Sequence, residues 1–68
     1  MKLTKEYYSN LYKPGTKVKL IEMVGELQMP TGLIGTVVFV DDYPQIHVRW
    51  ENGSGLALDP EADKFQII

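Results

Sequence analysis

The sequence predicts an all-β fold: a small barrel of five short strands carrying a short N-terminal helix or arm. Three observations predict it. Apolar residues recur with period 2 in short runs, as in 17–20 and 45–50. Turn-forming clusters rich in Gly, Pro, Asn and Asp separate those runs at short intervals. The chain has 68 residues, which allows one domain, and only one segment has helical periodicity. The expected division is 1–13 as helix or arm and 14–68 as barrel. A chain of this size buries roughly 60% of its unfolded surface, so its stability rests on one compact core.

The helical candidate is 3–12. Tyr7, Tyr8, Leu11 and Tyr12 fall on one helical stripe, and the Thr4 hydroxyl can cap the first turn. Pro14-Gly15 ends it. So short a helix is unstable alone, and it must dock or stay a loose arm. The first strand is 16–23, with Val18 and Leu20 inward and Lys17 and Lys19 outward. Ile21 breaks the alternation, marking a bend or burial on both faces. Residues 24–33, VGELQMPTGL, make a long irregular connection at the barrel rim, where binding groups tend to sit.

The second strand is 35–41. Val37 and Phe39 compete with Val38 and Val40 for the interior, and a bulge would bury members of both sets. Asp42-Tyr43-Pro44 is a turn, with Asp42 placed to bond its own backbone. The third strand, 45–50, has Ile46, Val48 and Trp50 on one face and Gln45, His47 and Arg49 on the other. Asn52-Gly53 suggests a two-residue hairpin, but that register turns Leu56 and Leu58 to solvent. A three-residue loop, 51–53, shifts the pairing by one and sets Val48 opposite Leu56 and Ile46 opposite Leu58. Burying each leucine is worth roughly 1.5–3 kcal/mol, more than the preference between turn types. The longer loop is therefore expected, with Gly53 at positive φ. Residues 59–62 suit one 3₁₀ turn, and 64–68 form a last strand with Phe65 and Ile67 inward.

A long first loop, two tight hairpins and a 3₁₀ turn before the last strand describe an SH3-like barrel. Closure would remove exposed sheet edges from strands this short. An oligonucleotide-binding barrel is the alternative, but it needs a helix between its third and fourth strands. The run Val40-Asp41-Asp42, the run from Gln45 through Trp50-Glu51-Asn52-Gly53-Ser54, and Leu56-Ala57-Leu58 together resemble a bacterial and phage family of unknown function, domain-of-unknown-function family 4314. The resemblance covers about 14–68, and Tyr43-Pro44 stands where that pattern has small residues ending in glycine. It implies an SH3-like fold and a bacterial or mobile-element origin, and no activity. The segment from Val48 to Ser54 is also similar to one in SH3-like barrels of ubiquitin-ligase and Tudor-related proteins, which bind peptides.

Composition narrows the function. There is no cysteine and a single histidine, which removes disulfides, thiolate metal sites and His-rich metal sites. The carboxylates Asp41, Asp42, Asp59, Glu61 and Asp63 lie in turn-like contexts that suit capping better than acid–base work. No serine sits in a nucleophile motif, and no cofactor, metal or catalytic residue is expected. The N-terminus lacks a signal-peptide apolar run and no stretch reaches membrane-span length, so a cytoplasmic protein, monomer or weak dimer, is expected. The leading reading is a non-enzymatic module that docks a protein or peptide. Its candidate site is Tyr43, a half-exposed Trp50, and Met29 and Pro30 of the first loop, with His47 and Arg49 beside it. The alternative is a nucleic-acid-associated module using Lys17, Lys19, His47 and Arg49. The net charge of −2 weighs against it, and the first and third strands are not neighbours in such a barrel, so the four are expected to make no continuous stripe.

Overall fold

The computed structural model of the protein describes residues 4–68. One helix, α1 (Lys5–Leu11), precedes four strands: β1 (Lys17–Glu22), β2 (Ile34–Val40), β3 (Ile46–Trp50) and β4 (Lys64–Ile67). The strands form one antiparallel sheet in the order β3-β2-β1-β4. The fold is mostly β, but it has four strands rather than five, and the sheet is open rather than closed into a barrel.

The missing strand is the segment after the β3 hairpin. Its register is the expected one. Gly53 has φ +87°, its N–H donates to the Trp50 carbonyl at 3.0 Å, and the Trp50 N–H donates to the Ser54 carbonyl at 3.2 Å. Ile46 and Leu58 exchange both backbone hydrogen bonds at 2.8 Å, and both are fully buried. The next pair in that ladder would be Val48 with Leu56, and side chains divert it. The Leu56 N–H donates to Ser54 Oγ at 3.2 Å, and the Leu56 carbonyl accepts from Trp50 Nε1 at 2.8 Å. Side-chain groups here satisfy the backbone locally and leave no ladder to build.

Two bulges shape the sheet. In β2, Val37 pairs with Val48, Phe39 with His47 and Val40 with Ile46, so Val38 and Phe39 together face one residue. The result is that Val37 and Val40 are buried while Val38 and Phe39 are both exposed. In β1, Ile21 follows the inward Leu20 and faces outward, and the register shift between Leu20 and Glu22 leaves Glu22 outward as well.

Helix α1 is docked. The Tyr7 N–H donates to Thr4 Oγ1 at 3.3 Å, as a capping threonine should. Leu3, expected in the helix, lies outside the described residues. Tyr8 is buried in the core, and Tyr12 stacks on it and leans on Phe65. Ile67, expected inward, is 53% exposed. It shares a face with Val18, its cross-strand partner, but β4 is the sheet edge and little covers its end.

The long connection 24–33 folds back on β1. Gly32 N–H donates to the Leu20 carbonyl at 2.7 Å, and Thr31 Oγ1 donates to the Ile21 carbonyl at 2.9 Å. At 59–63 the Asp59 carbonyl accepts from the N–H groups of Ala62 and Asp63, forming the expected single turn.

Candidate functional site

The sequence-predicted site residues do not converge. Trp50, expected half-exposed, is 2% exposed and fills the centre of the core. The reason lies across the sheet at Gly35, its partner in β2. A Cβ at Gly35 would collide with Val48 Cγ1 and sit 2.7 Å from Trp50 Cε3, so only glycine leaves room for both side chains against β2. Met29 is also buried and anchors its loop to the core. Pro30 is exposed. Tyr43 is 79% exposed at the β2–β3 turn. A surface made jointly by Tyr43, Trp50 and Met29 therefore does not exist.

The carboxylates have structural work. Asp41, rather than the expected Asp42, caps the β2–β3 turn: its Oδ1 accepts from the N–H groups of Tyr43 at 3.0 Å and Gln45 at 2.7 Å. Asp42 instead pairs with Lys5 of α1 at 3.4 Å. Asp63 accepts from Val24 and Asp59 N–H groups, and Asp59 accepts from Glu61. No group of three or more potential ligands stands together for a metal ion among the described residues.

What the fold does bring together is the solvent face of the sheet. Residues opposite one another share a face. Lys17 pairs with Thr36, and Thr36 pairs with Arg49, so the three form one row across β1, β2 and β3. The four expected residues make no unbroken stripe of charge, but the register sets Lys17 and Arg49 in one row with Thr36 between them. β1 and β3 are not neighbours, and β2 places Thr36 between Lys17 and Arg49, whose backbones are about 10 Å apart at two strand spacings. Lys17 Nζ donates to Thr36 Oγ1 at 2.6 Å. Lys19, two residues on, faces the same way. Among the described residues, no acidic side chain pairs with Lys17, Lys19 or Arg49.

Charge is segregated by element. Of the six described basic residues, four (Lys17, Lys19, Arg49, Lys64) lie in strands; of the nine acidic ones, only Glu22 does. The net charge of −2 is thus an average over acidic turns and a basic sheet face.

Beside Arg49 the face becomes aromatic. Phe39, nearly half exposed, stacks on His47 with centroids 4.3 Å apart and planes 4° from parallel. His47 Nε2 lies 2.7 Å from Asp41 Oδ2, which fixes the imidazole from its other side. This hydrogen bond from His47, with those from the Tyr43 and Gln45 N–H groups, holds the Asp41 carboxyl below its usual range. One groove along the face is lined by Phe39, His47 and Arg49 together with residues 53–55. A second, lined by Pro14, Thr36 and Val38, lies on the other side of Arg49. Sequence reasoning missed Phe39 and Thr36. The only signal for Phe39 was the unresolved competition among residues 37–40.

The sequence model of one protein family matches residues 3–68. The chain belongs to that family, the domain of unknown function DUF4314. The DUF4314 match takes in α1 as well as the sheet, so the helix is part of the family's unit rather than an appendage. No curated protein and no solved structure matches the chain.

Proposed function

We propose that this chain is a non-enzymatic binding module that associates with nucleic acid through the solvent face of its sheet. The observation that carries the reading is the row Lys17–Thr36–Arg49, with Lys19 beside it and the acidic residues confined almost wholly to turns and the helix. Two cations flanking a hydroxyl suit phosphate oxygens, which accept from ammonium, guanidinium and hydroxyl groups alike. The strand order, with Leu58 bridging onto β3, supports an SH3-like description of the fold, and a cytoplasmic monomer or weak dimer belongs to the same proposal.

The test is a titration of labelled DNA and RNA at several salt concentrations. Phosphate contacts should make log K fall linearly with log salt, by about 0.7 per contact for single strands. Arg49→Ala and Lys17→Ala should each weaken binding and lower that slope by about 0.7 on single strands. A second reading, docking of a protein or peptide partner, is favoured by the exposed Tyr43, Val38 and Phe39. Binding that is retained at high salt and lost in Tyr43→Ala would select it.

A further inference from the structure

Resting on that reading, we infer that the groove beside Phe39 takes an unpaired nucleobase, so that the module selects single strands over duplex. The β2 bulge is the first ground. Two consecutive residues, Val38 and Phe39, face solvent opposite the single residue His47, between the buried Val37 and Val40. Bulges re-aim side chains in this way next to functional sites. Beside the bulge a large aromatic ring is 49% exposed, in a domain whose other phenylalanine packs against Tyr12.

The second ground is rigidity. One face of the Phe39 ring is covered by His47, and His47 is fixed by Asp41, whose other oxygen is held by two backbone N–H groups. The ring is thus braced upright on a chain of contacts that ends in the backbone. A braced ring loses little freedom when a base stacks on it.

The third ground is adjacency. Arg49 lines both grooves, with Thr36 on one side and Phe39 and His47 on the other. From the Thr36–Arg49 pair to the Phe39–His47 pair is two residues along β3, about 6.6 Å. A nucleotide that places its phosphate on the cationic row reaches the aromatic pair with its base. A duplex offers the same phosphates, but its bases are already stacked and paired.

The experiment compares the intact protein's affinity for an oligo-dT single strand and for a hairpin duplex of similar phosphate number, at two salt concentrations. Single-strand binding should be at least tenfold tighter. Phe39→Leu keeps an apolar residue there but removes the π face. It should cost roughly 5- to 100-fold on oligo-dT, as loss of one stacked base does, and leave duplex binding unchanged. In Phe39→Trp, oligo-dT should quench the long-wavelength emission of the exposed indole, while inorganic phosphate should not. This second readout does not depend on the leucine variant's stability. Equal affinity for both probes, salt-sensitive and dependent on Arg49, would overturn the inference and keep the nucleic-acid reading. Absence of quenching with bound oligo-dT would overturn it likewise. Salt-insensitive or absent binding to both probes would overturn the two together.

Discussion

Gly35 and Trp50 show how one residue's role is written in another. Ile46, Val48 and Trp50 alternate in β3, which by period puts the indole inward even though Trp50 is the last residue of the strand. The space it occupies is provided by Gly35 on the neighbouring strand, and that pairing is a long-range fact. Gly35→Ala should therefore cost about 1–3 kcal/mol by overpacking, read as a lowered midpoint in urea with an unchanged slope. Asp41 makes a different prediction. Its folded-state pKa is depressed, first through His47, relative to the unfolded chain. Its stabilising contribution is thus complete above the unfolded value of about 3.9 and is lost as pH falls through the lower folded value. The difference in melting temperature between the native protein and Asp41→Asn should be positive at pH 6 and shrink below pH 4.

The elements were legible where local chemistry decides them. The 51–53 turn follows from face-matching alone, because one residue of slip would expose Leu58. The α1 cap at Thr4 is likewise local, as is the irregularity beside Ile21, where the broken alternation marks a bend. That 54–58 is no strand was not legible, because alternation there is a real core pattern while hydrogen bonding is set by Ser54 and the Trp50 indole. Nor was the orientation of Phe39 or Val40. In the uniformly apolar run Val37-Val38-Phe39-Val40, either face is plausible until the partner strand counts one residue fewer. Hydrogen exchange separates ladder from side-chain bonding. The Leu58 and Ile46 amides should exchange at the slow rate of the core, and the Leu56 and Ala57 amides much faster.

At the scale of the molecule, the open sheet needs the helix. A domain of this length has a stability of roughly 3–10 kcal/mol at about 0.05–0.15 kcal/mol per residue. Tyr8 closes one side of the core with a ring that is 7% exposed, and Tyr12 extends the contact to Phe65. Tyr8→Ala should cost on the order of 3 kcal/mol and leave much of the population unfolded at 37 °C, measured by near-UV circular dichroism. The sequence showed that α1 must dock or fray; which of the two depends on a core surface assembled from all four strands. Charge has the same lesson. A net of −2 describes the chain, whereas the fold places four of the six described basic residues in strands and eight of the nine acidic residues outside them.

The β2 bulge carries one more consequence, and it concerns deletions rather than substitutions. Val37–Val48, Phe39–His47 and Val40–Ile46 are already aligned, so Val38 is the supernumerary position. Loss of that single codon would leave every core partner of β2 and β3 matched and the ladder continuous. Deletion of Val38 should therefore leave a folded domain, read as a retained cooperative transition in urea. The Val38 side chain instead forms part of both grooves on the solvent face. A one-residue deletion would thus separate what the strand needs to fold from what its surface is built to present.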